Sequence, residues 1–122
     1  MLLVEDEASV RNLAERALRQ AGWTVLAADS AESALAIAHA PDGPRIDVMI
    51  SDIILPNQDG LALLAAVRTM HPNLPAILVS GYAESAVRGD LPPDGVTFLP
   101  KPYALKALVT AAGAATLTDV LK

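Results

Sequence analysis

Val48-Met49-Ile50-Ser51-Asp52 is an apolar run that ends in an acid, and Ile53-Ile54-Leu55-Pro56-Asn57-Gln58-Asp59-Gly60 follows it. An apolar run of this length predicts a buried strand of a parallel sheet. The proline and the Asp-Gly pair after it predict a loop. Asp52 is therefore expected at the carboxyl end of a central strand, where open α/β sheets place their chemistry. A carboxylate at that position can be a nucleophile, a metal ligand or a helix cap.

Length and composition limit the classes of protein to consider. The 122 residues predict one domain over 1–122, with 113–122 as an extension of the last helix or a tail. Hydrophobic residues make up 52% and aromatic residues 3%, so the core is expected to be aliphatic. The net charge of −5 disfavours direct binding to nucleic acid or to an anionic membrane, because both need clustered Lys and Arg.

Cysteine is absent, which excludes a disulfide framework and a thiolate site and is compatible with the cytoplasm, where we expect the protein to act. No apolar run is long enough to span a bilayer.

Strand and helix signals alternate along the chain. Strands are predicted at Leu2–Val4, Val25–Ala28, Ile46–Ser51, Ala76–Val79 and Val96–Leu99. The first predicted helix runs from Val10 to its end at Gly22, and the second follows an Asp29–Glu32 capping box. The third runs from Leu61 to about Met70 with Asp59 as N-cap. A fourth is predicted from Ala83 to Arg88, and the last starts near Ala104 and is interrupted at Gly113. Five such units predict a parallel sheet with helices on both faces. The flavodoxin-like strand order 2-1-3-4-5 is the leading choice.

Polar residues collect where the predicted strands end: Glu5 and Asp6 after the first, Asp52 after the third, Ser80 after the fourth and Lys101 after the fifth. Three neighbouring carboxylates repel one another unless a cation intervenes. Mg²⁺ suits such a site, because it takes carboxylate, water and phosphate oxygens as ligands. An ammonium and a hydroxyl nearby can hold further phosphate oxygens. An exposed carboxylate there is a workable nucleophile for a phosphoryl group.

Four segments carry these polar residues: Leu-Leu-Val-Glu-Asp-Glu at 2–7, Ser-Asp-Ile-Ile-Leu-Pro at 51–56 with Asp59-Gly60, Val-Ser-Gly-Tyr at 79–82 and Leu-Pro-Lys-Pro-Tyr at 99–103. Together they resemble the receiver domains of response regulators in two-component signalling. Ser-Gly-Tyr-Ala at 80–83 and Phe-Leu-Pro-Lys-Pro-Tyr at 98–103 are also similar to the receivers at the C-terminus of hybrid histidine kinases. The chain could be a stand-alone receiver or a part of a longer protein, and this similarity favours a part of a hybrid kinase.

The resemblance implies that Asp52 accepts a phosphoryl group from a histidine kinase or a histidine phosphotransfer protein. It also implies a Mg²⁺ or Mn²⁺ site made by Asp6, Asp52 and the backbone carbonyl of Ile54, with Glu5 reaching the ion directly or through water. Lys101 and Ser80 would contact the phosphoryl oxygens.

Two further roles follow from the resemblance. Ser80 and Phe98 would form a conformational switch, and the side chains of Ile54 and Tyr82 would slow hydrolysis of the phosphoryl group.

The surface of the fourth helix, fifth strand and fifth helix would allow a weak dimer. The protein would not be an enzyme on other substrates, since it would catalyse only its own phosphorylation and dephosphorylation.

Two alternatives stand beside this interpretation. One is a receiver-like scaffold that binds proteins without being phosphorylated, although the presence of all five polar residues argues against it. The other is a flavodoxin-like enzyme or cofactor binder. Against this alternative, Glu5-Asp6-Glu7 stands where phosphate-binding glycines would be expected, and aromatics to sandwich a flavin are scarce.

Overall fold

The computed structural model describes residues 1–40, 46–55, 59–80, 95–100 and 103–121. Five strands in this part of the chain form one sheet in the order β2-β1-β3-β4-β5, and every neighbouring pair is parallel. The strands are β1 (Leu2–Val4), β2 (Leu26–Ala28), β3 (Met49–Asp52), β4 (Ala76–Ser80) and β5 (Val96–Pro100). The helices are α1 (Ala8–Gln20), α2 (Ala31–Ala38), α3 (Gly60–Val67) and a C-terminal helix (Leu105–Leu121). The predicted fold class and strand order are confirmed.

Alternating residues of the central strands point to opposite faces of the sheet and build two separate cores. Leu2, Met49 and Leu78 belong to the core on the side of α2 and α3. Leu3 and Ile50 belong to the core on the side of α1 and the C-terminal helix. Both faces of β3 are therefore buried, which explains why Val48, Met49 and Ile50 are all apolar although successive side chains point to opposite faces.

Strand β3 begins later than the sequence predicted, at Met49 instead of Ile46. Its ladder starts where its two neighbours start, since Met49 pairs with Leu2 on one side and with Ala76 on the other. Helix α3 is also shorter than predicted and ends at Val67, because the Thr69 and Met70 N–H groups donate to carbonyls three residues earlier and tighten the chain into a turn.

The predicted end of α1 is confirmed. Gly22 has a φ of 103°, and its N–H donates to the Arg19 carbonyl while the next N–H, of Trp23, donates to the Leu18 carbonyl. These two bonds form a Schellman motif, which needs a left-handed residue at the position of Gly22.

The predicted capping box of α2 is wrong. Ser30 is the N-cap, and its hydroxyl accepts the Ser33 N–H at 3.1 Å. Asp29 lies one residue outside the helix and instead accepts the Ser33 hydroxyl at 3.0 Å. Either side chain can cap a helix, and the extended backbone of Ser30 decides between them.

Some predictions fall on residues that the structure does not describe. The predicted fourth helix at 83–88 lies among them, as do Tyr82 and Lys101, and the assignment of 1–122 to a single domain stays a prediction.

The C-terminal helix continues through Gly113, so the predicted interruption there is wrong. Within the described ranges, no helix combines the length and apolar character needed to cross a membrane.

Candidate functional site

The register of the sheet brings three acids together at its carboxyl edge. Val4 pairs with Ser51 across β1 and β3, so Glu5 and Asp6 leave β1 next to the point where Asp52 ends β3. Carboxylate oxygens of these three residues all lie within 4.8 Å of one another. The sequence prediction that they converge is confirmed by this geometry.

The three acids differ in burial. Glu5 and Asp52 are only 7% and 6% exposed, whereas Asp6 faces solvent. A small cavity beside Glu5 and Asp52 has a largely apolar lining to which Val79 and Tyr103 contribute. One side of the cluster is therefore shielded from water, and the other is open to an ion or a substrate.

Burial and crowding favour the protonated form of Glu5. Loss of hydration raises the pKa of Glu5 to about 8, and a hydrogen bond to Asp52 and the negative charge of that residue act in the same direction. A hydrogen bond with Asp6 adds to the increase, while the Glu7 N–H, which donates to Glu5 Oε2 at 3.3 Å, opposes it. Below about pH 8, these effects favour a proton on Glu5.

This donor set suits a hard divalent cation. Mg²⁺ and Mn²⁺ prefer carboxylate and carbonyl oxygens, and Mg²⁺ keeps several waters when it binds to one or two carboxylates. The exposed side of Asp6 leaves room for such waters. The residues present therefore fit the metal that the sequence suggested, and the chemistry of the donors supports this fit.

The loop after β3 exposes Ile54, two residues after Asp52. The Ile54 side chain is 61% exposed, although Ile53 before it is buried. Ile54 and Asp59 form an isolated antiparallel bridge in which the Gly60 N–H donates to the Ile53 carbonyl. This bond uses the carbonyl of Ile53 and not the carbonyl of Ile54, which is the predicted metal ligand.

The backbone of Asp52 is contacted by Ser51 and by Gly60. The Ser51 hydroxyl donates to the Asp52 carbonyl at 2.8 Å. Gly60, the first residue of α3, packs directly against the same peptide: a Cβ at Gly60 would overlap the Asp52 carbonyl oxygen and lie 3.0 Å from the Ile53 Cα. The Asp59 side chain caps α3 by accepting the Leu61 N–H at 2.7 Å, as predicted.

The remaining predicted site residues are only partly placed. The backbone of Ser80 ends β4 at the same edge of the sheet, one residue after Val79, which pairs with Asp52. Phe98 lies in β5 opposite Leu78 and packs half-buried against the core on the α2 and α3 side. Lys101 and Tyr82 lie outside the described residues.

Three residues that support the site were not singled out from the sequence for this role: Ser51, Gly60 and Arg11. Gly60 had a visible signal in the Asp-Gly pair, which indicated a loop but not the close approach to Asp52. Ser51 and Arg11 carried none, because a strand serine and a helix arginine are common and their contacts depend on the tertiary structure. Arg11 Nη1 donates to the Glu5 carbonyl at 2.9 Å.

A doubly wound parallel sheet with an acidic cluster at its carboxyl edge defines a class of phosphate- or metal-handling α/β domains. Within that class, the sequence pattern of the response regulator receiver domain matches residues 1–113. The chain belongs to this family and is a receiver domain of two-component systems.

Individual relatives agree with this assignment. The chain is 46% identical over 111 residues to the sensor kinase CckA of Brucella abortus strain 2308, covering 90% of this chain and 12% of that kinase. It is similar to the crystal structure of the receiver domain of the hybrid histidine kinase CckA, with 38% identity, a TM-score of 0.76 and coverage of 94% and 96%. The receiver domain of NtrX from Brucella abortus has 33% identity and a TM-score of 0.75, with coverage of 96% and 98%. The chain thus spans about an eighth of the length of the curated kinase.

Replacing Gly60 by Ala is expected to destabilise the protein by about 2 kcal/mol, because the Asp52 peptide and α3 must move apart. The matched control is Gly113→Ala in the C-terminal helix, where an added Cβ meets nothing within 4 Å. It should stabilise by about 0.5–1 kcal/mol through helix propensity. Urea unfolding measures both, and equal effects of the two substitutions would contradict the proposed close approach.

The raised pKa of Glu5 makes stability depend on pH. Between the ordinary value of 4.5 and about 8, the folded protein holds a proton that the unfolded chain releases. The stabilisation is complete below 4.5 and is lost as the pH rises through about 8. Without metal, the free energy of unfolding should therefore fall by about 1–3 kcal/mol across this window, and Glu5→Gln should remove that fall. Parallel pH curves for the two proteins, measured by urea unfolding, would contradict the assignment.

Proposed function

We propose that this receiver domain is the phosphoacceptor of a phosphorelay and that Asp52 accepts the phosphoryl group from a phosphohistidine in a reaction that needs Mg²⁺ or Mn²⁺. The observation that carries this proposal is the convergence of the Glu5, Asp6 and Asp52 oxygens within 4.8 Å at the carboxyl edge of the sheet. Family membership supports the phosphoacceptor role in general, and the geometry favours Asp52 as the particular residue.

Asp52 has the position that a nucleophile requires. Its backbone is held by Ser51 and Gly60, and the residue is buried at the end of β3, which limits the positions open to its carboxylate. A carboxylate oxygen of Asp52 attacks phosphorus, the phosphorus–nitrogen bond breaks, and the imidazole leaves with the bonding electrons. An aspartyl phosphate forms without any additional reactant.

The other acids are proposed to bind a metal ion whose positive charge offsets the negative charge of the phosphoryl group. Glu5, Asp6 and Asp52, with the Ile54 carbonyl, would hold the metal ion, which supplies positive charge to the phosphoryl oxygens when bound. Lys101 is proposed to hold another phosphoryl oxygen, and Ser80 a third. The position of the Ser80 backbone at the same edge supports its part in this set.

Phosphorylation is proposed to act as a switch through Ser80 and Phe98. Phe98 packs half-buried against the core on the α2 and α3 side, and a rotation of its ring would alter the surface of β5. The exposed side chain of Ile54, together with Tyr82, would restrict the approach of water to the phosphoryl group. The turnover is limited to the domain's own phosphorylation and dephosphorylation.

The phosphodonor is proposed to be a histidine kinase or a histidine phosphotransfer protein. The similarity to the receiver domain of a hybrid histidine kinase supports a place in such a kinase for this chain. A net charge of −5 disfavours direct contact with nucleic acid or an anionic membrane. Action in the cytoplasm and a weak dimer through the fourth helix, fifth strand and fifth helix stay predictions.

The direct test is incubation with acetyl phosphate and Mg²⁺, followed by intact-mass measurement. The wild type should gain one phosphoryl group, and Asp52→Asn should gain none, because an amide is not a nucleophile for phosphorus. Removal of the metal with EDTA should slow the gain by about tenfold or more, since charge neutralisation is the main catalytic contribution.

Asp59→Asn provides the matched control, because asparagine also caps a helix and this aspartate lies on the loop next to the site. It should be phosphorylated like the wild type. Failure of the wild type to gain mass, with no binding of beryllofluoride, would contradict the proposal and favour the non-phosphorylated scaffold. Turnover of an added phosphate ester or a yellow preparation would favour the enzyme or flavin-binding alternative.

A further inference from the structure

We infer that Arg11 is a positioning residue for the acidic site: its guanidinium fixes the Glu5 peptide and thereby sets the affinity for the divalent cation. The inference rests on the proposed function, because it concerns the metal that the cluster would hold. It is independent of the phosphoryl transfer itself.

The turn between β1 and α1 lacks the usual anchor. Glu7 is the N-cap of α1, yet its side chain makes no capping hydrogen bond. A helix start without a side-chain cap leaves backbone N–H groups to other partners and gives the preceding turn more freedom. Glu5 and Asp6 lie in this turn, so its conformation decides where two of the three carboxylates point.

Arg11 supplies a different anchor from the first turn of α1. Its Nη1 donates to the Glu5 carbonyl at 2.9 Å, and the side chain is half-buried. The Glu5 N–H is engaged as well, donating to the Ala28 carbonyl at the end of β2 at 3.0 Å. The backbone N–H of Glu5 is thus hydrogen-bonded to the end of β2, and its carbonyl is hydrogen-bonded to Arg11 of α1.

Fixing this backbone also fixes the carboxylates. The Glu5 carboxylate accepts the Glu7 N–H at 3.3 Å, so the side chain folds back on the same turn. A rotation of the Glu5 peptide would break this contact and move the carboxylate away from Asp52. Groups that orient metal ligands in this way typically change metal affinity by about 10–100-fold when they are removed.

The positive charge of Arg11 would by itself predict the opposite change in Mg²⁺ affinity. A cation next to the acidic cluster repels a second cation, so a purely electrostatic neighbour would weaken Mg²⁺ binding and its removal would tighten it. A purely structural role would lower stability and leave the affinity unchanged. Only a positioning role predicts weaker Mg²⁺ binding after the positive charge is removed.

The test is calorimetric titration of the full chain with MgCl₂. Arg11→Met, which keeps the apolar stem, should weaken Mg²⁺ binding by about tenfold. Arg11→Lys keeps a donor and should recover most of the affinity. The matched control is Arg16→Met, which removes the same charge from an exposed position on the same helix and should change the affinity by less than about twofold.

Unchanged or tighter Mg²⁺ binding by Arg11→Met would overturn the inference while leaving the proposed function intact. If the wild type itself binds no Mg²⁺, the proposed metal site fails, and the metal-free protein still tests the positioning role. Hydrogen exchange of the Glu7 amide should then be about tenfold faster in Arg11→Met than in Arg16→Met at equal global stability. Equal exchange rates would overturn the inference.

Discussion

Repulsion among three carboxylates is the constraint on which the site depends. Glu5, Asp6 and Asp52 bring their oxygens within 4.8 Å, although separated carboxylates would be more stable in water. The fold can impose this arrangement because Asp52 ends a strand buried on both faces and Glu5 follows the neighbouring strand in fixed register. In the metal-free protein, a proton on Glu5 relieves part of the repulsion. A divalent cation relieves it more completely, which couples metal binding to the release of that proton.

Contacts to the backbone position the site residues as much as contacts to their side chains do. Ser51 and Gly60 hold the Asp52 peptide, while β2 and Arg11 hold the Glu5 peptide. Each of these contacts reaches the site from a different element, so the carboxylates keep their places although they repel one another. Stability given up at a functional site is commonly recovered in the supporting structure, and two aliphatic cores on either side of the sheet supply it here.

Sequence reasoning predicted the sheet order and the convergence of the acids because both follow from local signals. Apolar runs mark buried strands, and parallel strands place their carboxyl ends on one edge. The start of β3 was missed because Leu2 and Ala76, on neighbouring strands, set where its ladder begins. The cap of α2 was assigned to Asp29 because Asp29 and Ser30 are both good caps, and only the backbone conformation distinguishes them. The role of Arg11 depends on a contact between helix and strand end that no local pattern encodes.

In the described part of the chain, the fold holds Glu5 beside Asp6 and Asp52, which favours a proton on Glu5 until a divalent cation binds. The most direct test is a titration of the Glu5 side-chain carboxyl by ¹³C NMR, without metal and with saturating Mg²⁺. The structure predicts a pKa of about 8 for Glu5 in the metal-free protein. With Mg²⁺ bound, that pKa should fall below its ordinary value of 4.5, because the ion favours the carboxylate. A metal-free pKa near 4.5 that Mg²⁺ does not change would contradict the claim.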